Sequence, residues 1–167
     1  MFVRDLTCED DLDAFGALVR DAYVSLPGWV PDPAYEDEIA DVAGRLDIAE
    51  VIGAFADDGT PLGCVTYVPD PTNPMAEHGD PTAVSFRMFG VSPKAQGTGA
   101  GRALLAEVVR RARLSPWPRV VMHTTVVMLR AHQLYESHGF VRRPDLDWEI
   151  ESGLVLPAYG LELRSTS

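Results

Sequence analysis

Residues 84–105 narrow the fold more than any other stretch of this chain. Val84-Ser-Phe-Arg-Met-Phe-Gly-Val91 is a strand-like apolar run, and Ser92 to Ala95 is a brief connector. Gln96-Gly-Thr-Gly-Ala-Gly101 then opens a helical pattern that begins Arg102-Ala-Leu-Leu105. Glycines let a turn adopt positive φ and bring its backbone close to a ligand. The free N–H groups and dipole at a helix N-terminus favour anionic oxygens. Arg102 opposes the dipole of the helix it starts, which makes better sense beside a bound polyanion. The plain alternative is a tight strand-to-helix turn with no ligand. Two other phosphate motifs fail. No Gly-x-x-x-x-Gly-Lys-Ser/Thr run exists, and Gly-x-Gly-x-x-Gly breaks at Arg102 or at Leu104.

The rest of the chain supplies a mixed α/β pattern. Phe2 to Asp5 reads as a strand. Leu12, Phe15, Leu18, Val19 and Ala22 give Glu9 to Val24 a helical spacing. Thr7 and Asp10 form a start resembling a capping box. After a Pro- and Gly-rich loop from Leu26 to Pro33, a second helix is expected from Ala34 to about Arg45. Ala49 to Ala56 and Pro61 to Pro69 flank an Asp58-Gly59 hairpin signal. Asp70 to Pro81 is a loop and Ala83 to Val91 a strand. A helix follows from Gly101 to Arg113, a strand from Arg119 to Thr125, and a helix from Met128 to His138, closed by Gly139. Phe140 to Arg164 should hold two strands around a loop from Pro144 to Gly153. This order suits one sheet in a single domain over residues 1–167.

Charge is unevenly spread. Residues 1–80 carry 18 acidic and 3 basic side chains, and residues 81–167 carry 7 acidic and 11 basic ones, within a net charge of −11. The acidic half would repel nucleic acid and anionic lipid, and the second half is where an anionic cofactor could sit. No apolar run approaches the roughly 20 residues of a membrane span, and Met1 to Asp10 lacks the features of a secretory signal. The expected setting is cytoplasmic, without nucleic-acid or membrane partners. Cys8 and Cys64 make neither a disulfide framework nor a metal site; Cys64 reads as a small core residue.

The segment from Phe86 to Phe140 resembles the core of the GNAT superfamily of acyl-CoA-dependent N-acyltransferases. It carries an apolar strand ending in Val91, the Gln96-x-x-Gly99-x-Gly101 turn, and Leu134-Tyr135-Glu136-Ser137-His138-Gly139-Phe140 downstream. The resemblance implies a mixed, mostly antiparallel sheet of about six to seven strands, with about four helices and a splayed slot for the cofactor. It implies acetyl-CoA as acyl donor. The backbone of Phe89, Gly90 and Val91 would pair with the pantetheine arm. Gln96, Gly97, Thr98, Gly99, Ala100, Gly101 and Arg102 would form the pyrophosphate site. The strands carrying Phe89 and Thr124 would part, and Tyr135 would protonate the departing thiolate. A phenol of reference pKa about 10 holds that proton at neutral pH, although a core tyrosine with its hydroxyl satisfied elsewhere is the plainer reading.

The expected reaction is direct attack of a primary amine, on a small molecule or a protein, in a ternary complex. The amine needs a proton acceptor, and Ser85 stands where many relatives carry a glutamate. A water relay or another group must serve. His123, with a reference pKa of about 6.5, is the leading candidate, against the plainer reading of a hydrogen-bonded strand histidine. Met128 replaces a cofactor-contacting asparagine of many relatives. His132 and His138 read as structural or solvated, and His78, beside Glu77 and Asp80, as a loop residue or part of an acceptor entrance. Trp29, the helix bearing Glu36, Asp37, Glu38 and Asp41, and the tail around Asp147, Trp148 and Glu149 are candidates for binding a cationic amine. The departures at Ser85 and Met128 also motivate an alternative from another class, a non-catalytic acyl-CoA-binding sensor. Strand edges in the tail permit a homodimer.

Overall fold

The computed structural model describes residues 1–77 and 79–164; His78 lies outside them. The helices are α1 (Leu12–Val24), α2 (Pro33–Ala40), α3 (Val42–Leu46), α4 (Ala100–Leu114) and α5 (Leu129–Ser137). The strands are β1 (Phe2–Asp5), β2 (Glu50–Phe55), β3 (Pro61–Val68), β4 (Ala83–Val91), β5 (Arg119–His123), β6 (Val141–Arg142), β7 (Trp148–Glu149), β8 (Val155–Leu156) and β9 (Ala158–Glu162). Seven strands hydrogen-bond in the order β1-β2-β3-β4-β5-β9-β6, and β7 and β8 form a separate ribbon. Among the described residues no helix is long and apolar enough to cross a membrane. The chain forms two compact units, Met1–Tyr67 with Met88–Glu107, and Val68–Arg87 with the residues from Val108 onward.

In the first unit β2 pairs antiparallel with β1, from Phe2↔Phe55 to Asp5↔Ile52, and with β3, from Glu50↔Tyr67. The expected hairpin is present: Gly59 N–H donates to the Ala56 carbonyl at 2.9 Å and Thr60 N–H to the Asp58 carboxylate at 3.0 Å. Asp11 caps α1 by accepting from Ala14 N–H at 3.0 Å. The Thr7–Asp10 pairing therefore closes the turn just before the helix, with Thr7 N–H 2.8 Å from the Asp10 carboxylate. Phe15 and Val19 of α1, Ile39 of α2, Val42 of α3, and Ile52 and Val65 of the sheet are buried. Gly16 admits the backbone of α2, since a Cβ there would lie 2.0 Å from the Ala40 carbonyl oxygen.

The single helix expected from Ala34 to Arg45 is two helices. Asp41, at φ −79° and ψ 73°, ends α2 and caps α3, its side chain accepting from Gly44 N–H. Arg45 makes the break tolerable. Its Nη1 donates to the carbonyls of Glu38, Ile39 and Asp41 at 2.7, 3.0 and 3.1 Å, and its Nε to Thr66 Oγ1 at 3.0 Å. The Glu38 and Ile39 carbonyls lie in the last turn of α2, which leaves them without intrahelical partners.

In the second unit β5 pairs antiparallel with β9 along its length, from Arg119↔Glu162 to His123↔Ala158, and β6 pairs with the other side of β9. β4 joins β5 in parallel at Ala83↔Arg119 and Val84↔Val120. Arg119 ties the preceding loop to the sheet, with Asp80 and Glu162 each at 2.9 Å. The expected left-handed cap is present at Gly139, φ 88°, where Phe140 N–H returns to the Tyr135 carbonyl at 3.1 Å. The tail holds four short strands instead of the two expected. A 3-10 turn at Pro144–Leu146 interrupts it, because Pro144 cannot donate to a ladder.

Candidate active site

The glycine turn lies in the first unit. A 3-10 turn, Pro93–Ala95, leads into it, and α4 begins at Ala100. Gly97 and Gly99 have φ of 83° and 91°, so both need glycine for backbone conformation. Space is not the reason: a Cβ at Gly97 would meet nothing within 4 Å, and one at Gly99 only the Met1 methyl at 3.6 Å. Gln96 to Gly99 are exposed, Ala100 is buried, and Arg102 in the first turn of α4 is exposed. The exposed turn thus leads into a helix N-terminus whose first N–H groups have no partners within the helix. Thr98 Oγ1 is taken by the Ala95 carbonyl at 2.6 Å, which braces the turn.

Immediately upstream, Met88 sits in mid-strand at φ 50°. An unbranched residue in the left-handed region is uncommon and interrupts the pleat. It stands just before Phe89, Gly90 and Val91. Gly90 packs tightly against α1, since a Cβ there would lie 3.1 Å from Val19 Cγ1 and 3.3 Å from Ala22 Cβ.

Tyr135, on α5 in the second unit, is 3% exposed. Its ring packs on Phe86, Phe140 and Tyr159 at centroid distances of 5.8, 6.0 and 6.0 Å. Burial pushes its phenol well above the ordinary value, with Tyr159 adding to the shift. The hydroxyl therefore carries its proton throughout the physiological range. Near the start of α5, the Thr124 hydroxyl donates to the Met128 thioether at 3.3 Å, and His132 Nε2 lies 2.9 Å from the Thr125 carbonyl. His138 Nδ1 lies 3.0 Å from the Leu134 carbonyl, within its own helix.

His123 ends β5 with a side chain only 2% exposed. Nδ1 lies 2.8 Å from Glu77 Oε2 and Nε2 lies 2.8 Å from the Leu146 carbonyl. The Trp148 ring packs edge-on at 6.2 Å. Burial works against a charged ring, but Glu77 and the Leu146 carbonyl outweigh it, so the imidazole titrates above its ordinary value. Glu77 is bound on three sides. Its backbone N–H donates to the buried Ser85 Oγ at 3.2 Å, and its Oε1 lies 3.5 Å from Arg87 Nε. An open cleft of about 530 Å³ is lined by Pro71, Asn73, Glu77, Gly79 and Asp80 among others.

Of the acceptor candidates, Trp29 and Glu36 come together, with Nε1 donating to Oε1 at 3.0 Å while Arg20 reaches Oε2 at 3.3 Å. Tyr23 and Tyr35 complete an aromatic cluster at 6.0 and 6.4 Å from the Trp29 ring. Asp37 and Glu38 are exposed, and Asp41 is occupied as a cap. In the tail, Asp147 is held by Arg142 at 2.6 Å, and Glu149 is exposed. Cys64 is fully buried, its thiol pushed up to about 12 by burial. Nothing in the amino-acid order marks Glu77, Arg87 or Met88 as site residues. The expectation drawn from Ser85 is only that a water relay or another group serves as proton acceptor.

The acetyltransferase (GNAT) family model matches residues 15–140. The N-acetylaspartate synthetase of Danio rerio is 40% identical over 63 residues, 38% of this chain and 22% of that protein. The mycothiol acetyltransferase of Acidothermus cellulolyticus is 38% identical over 69 residues, 41% of this chain and 21% of that protein. These matches thus span about a fifth of the relatives' own lengths. The fold is shared with a GCN5-related N-acetyltransferase from Kribbella flavida, TM-score 0.70, 22% identity, 96% of each chain covered. It is shared also with an acetyltransferase from Salmonella typhimurium solved with its cofactor acetyl-CoA, TM-score 0.69, 19% identity, covering 99% of this chain and 95% of that one. With its glycine turn, its Leu134-to-Phe140 segment and its sheet order, the chain belongs to the GNAT family of acetyltransferases.

Proposed function

We propose that this protein is an N-acetyltransferase, acting as one domain over residues 1–167, that transfers an acetyl group from acetyl-CoA to a primary amine by direct attack. The observation that carries the reading is the glycine turn. Two exposed positive-φ glycines, Gly97 with open space beside it and Gly99 touched only by the Met1 methyl, lead into the N-terminus of a helix of 15 residues. In this reading the backbone N–H groups from Gly97 to Gly101 hold the pyrophosphate, with Gln96, Thr98 and Arg102 beside them. Strand groups of Phe89 to Val91, re-aimed by Met88, pair with the pantetheine arm. Acetyl-CoA as donor is consistent with the family, and N-acetyl transfer agrees with the name of one relative.

Tyr135 is the acid in this reading. Its burial keeps it protonated, so it donates when the thioester carbon–sulfur bond breaks and the sulfur leaves as thiolate. The amine nitrogen forms the new bond to the acyl carbon, and much of the catalysis comes from holding the two in line. Calorimetric titration with acetyl-CoA, beside Gly99→Glu and Gly101→Glu variants, tests the cofactor site: the wild type should bind and both variants should not. Tyr135→Phe should lower turnover about 10²-fold while sparing acetyl-CoA binding. The second reading, a non-catalytic acyl-CoA sensor, draws on the thioether at Met128, which offers no amide. Binding of acetyl-CoA without turnover across an amine library would favour it.

A further inference from the structure

His123 and Glu77 are joined by geometry that leaves room for one particular use. The Leu146 carbonyl is an acceptor only, so its 2.8 Å contact requires a proton on His123 Nε2. In the neutral ring Nδ1 then bears the lone pair, and it faces the Glu77 carboxylate at 2.8 Å. Two acceptors at that distance repel until a proton lies between them. The ring itself is sealed from solvent, while Glu77 lines the open cleft. Glu77 is also fastened by its backbone to Ser85, the position that lacks a carboxylate of its own.

We infer that Glu77 and His123 act as one proton-accepting pair for the amine, with Glu77 the end that meets it and His123 the end that stores the proton. This rests on the acetyltransferase reading above. The ammonium N–H bond breaks and its proton passes to the Glu77 carboxylate. The proton then moves across the 2.8 Å hydrogen bond to Nδ1. The pair ends as carboxylate and imidazolium, and the free amine keeps the electron pair that attacks the thioester. Arg87 also faces the pair, beside Glu77 Oε1. From the tail, Asp147 favours the imidazolium electrostatically and is itself paired with Arg142, while Trp148 supplies an apolar edge.

The test combines imidazole NMR with kinetics on wild type, Glu77→Gln and His123→Asn. In the wild type, His123 should show the Nε2–H tautomer when neutral and titrate above free histidine. Glu77→Gln should lower that titration and move the alkaline-rising limb of kcat/KM down with it. The rate near neutral pH should fall about 10²-fold, with acetyl-CoA affinity unchanged. A His123 that titrates at or below the free value, or is indifferent to Glu77→Gln, overturns the pair. So does a pH–rate limb that Glu77→Gln leaves in place in a folded, acetyl-CoA-binding variant. Absence of acetyl-CoA binding in the wild type would instead sink the acetyltransferase reading, and the proton-accepting role with it.

Discussion

Trp29 Nε1 donates to Glu36 Oε1 across 3.0 Å, so the tryptophan between α1 and α2 is fixed to the first turn of α2. The same carboxylate accepts the Asp32 N–H at 3.3 Å and meets Arg20. The loop's order thus depends on one acidic side chain, held ionised by the indole N–H and its other donors. Glu36→Ala should speed hydrogen exchange of the Trp29 indole roughly tenfold, the scale of one lost hydrogen bond to a charged group. Glu36→Gln keeps an acceptor oxygen and should retain most of the protection.

Two glycines should respond to alanine for opposite reasons. At Gly16 the new methyl would meet the Ala40 carbonyl at 2.0 Å, and backbone cannot swing aside. Gly16→Ala should cost about 3 kcal/mol in urea unfolding. At Gly97 the methyl enters open space and only the positive φ is strained. Gly97→Ala should cost about 1 kcal/mol, and Gly97→Asn, which tolerates that conformation, less.

Arg45→Met removes the donor shared by the Glu38, Ile39 and Asp41 carbonyls at a site 4% exposed. The expected loss is about 3 kcal/mol in chemical denaturation. Arg45→Lys keeps the charge but not the planar fork, and should fall between the two.

Acid should destabilise the fold through two aspartates. Arg4 holds Asp10, and Arg142 holds Asp147, each down to about 2 from an ordinary value of 3.8. Their contribution is present above the unfolded value and is lost as pH falls from about 4 through 2. Thermal midpoints measured from pH 5 to pH 2 should drop less steeply in Asp147→Asn, and added salt should shrink the difference, since both pairs are partly exposed. His123 has the opposite sign. Its raised value contributes stability that is full below about 6.5 and fades as pH rises through the folded value, and Glu77→Gln should flatten that slope.

Features decided by residues close together in the chain are legible in the amino-acid order. The glycine turn, the Asp58-Gly59 hairpin and the Gly139 cap rest on backbone preferences of the residues that form them. The apolar spacing of α1 likewise places Phe15 and Val19 in the core. The helix expected to run through Asp41 breaks there because a buried arginine takes the freed carbonyls, an interaction that periodicity does not encode. Met88, at φ 50°, carries no sequence signal for a left-handed conformation. His123 could be singled out as a strand histidine, but not its partner, because Glu77 lies 46 residues earlier in a loop with no periodic pattern. The family, the glycine turn and the order of elements outside the split helix and the tail are thus written in the chain, since these depend on short-range chemistry. Which carboxylate is fastened at Ser85 is a matter of tertiary folding, because it follows from how a loop folds back onto a sheet.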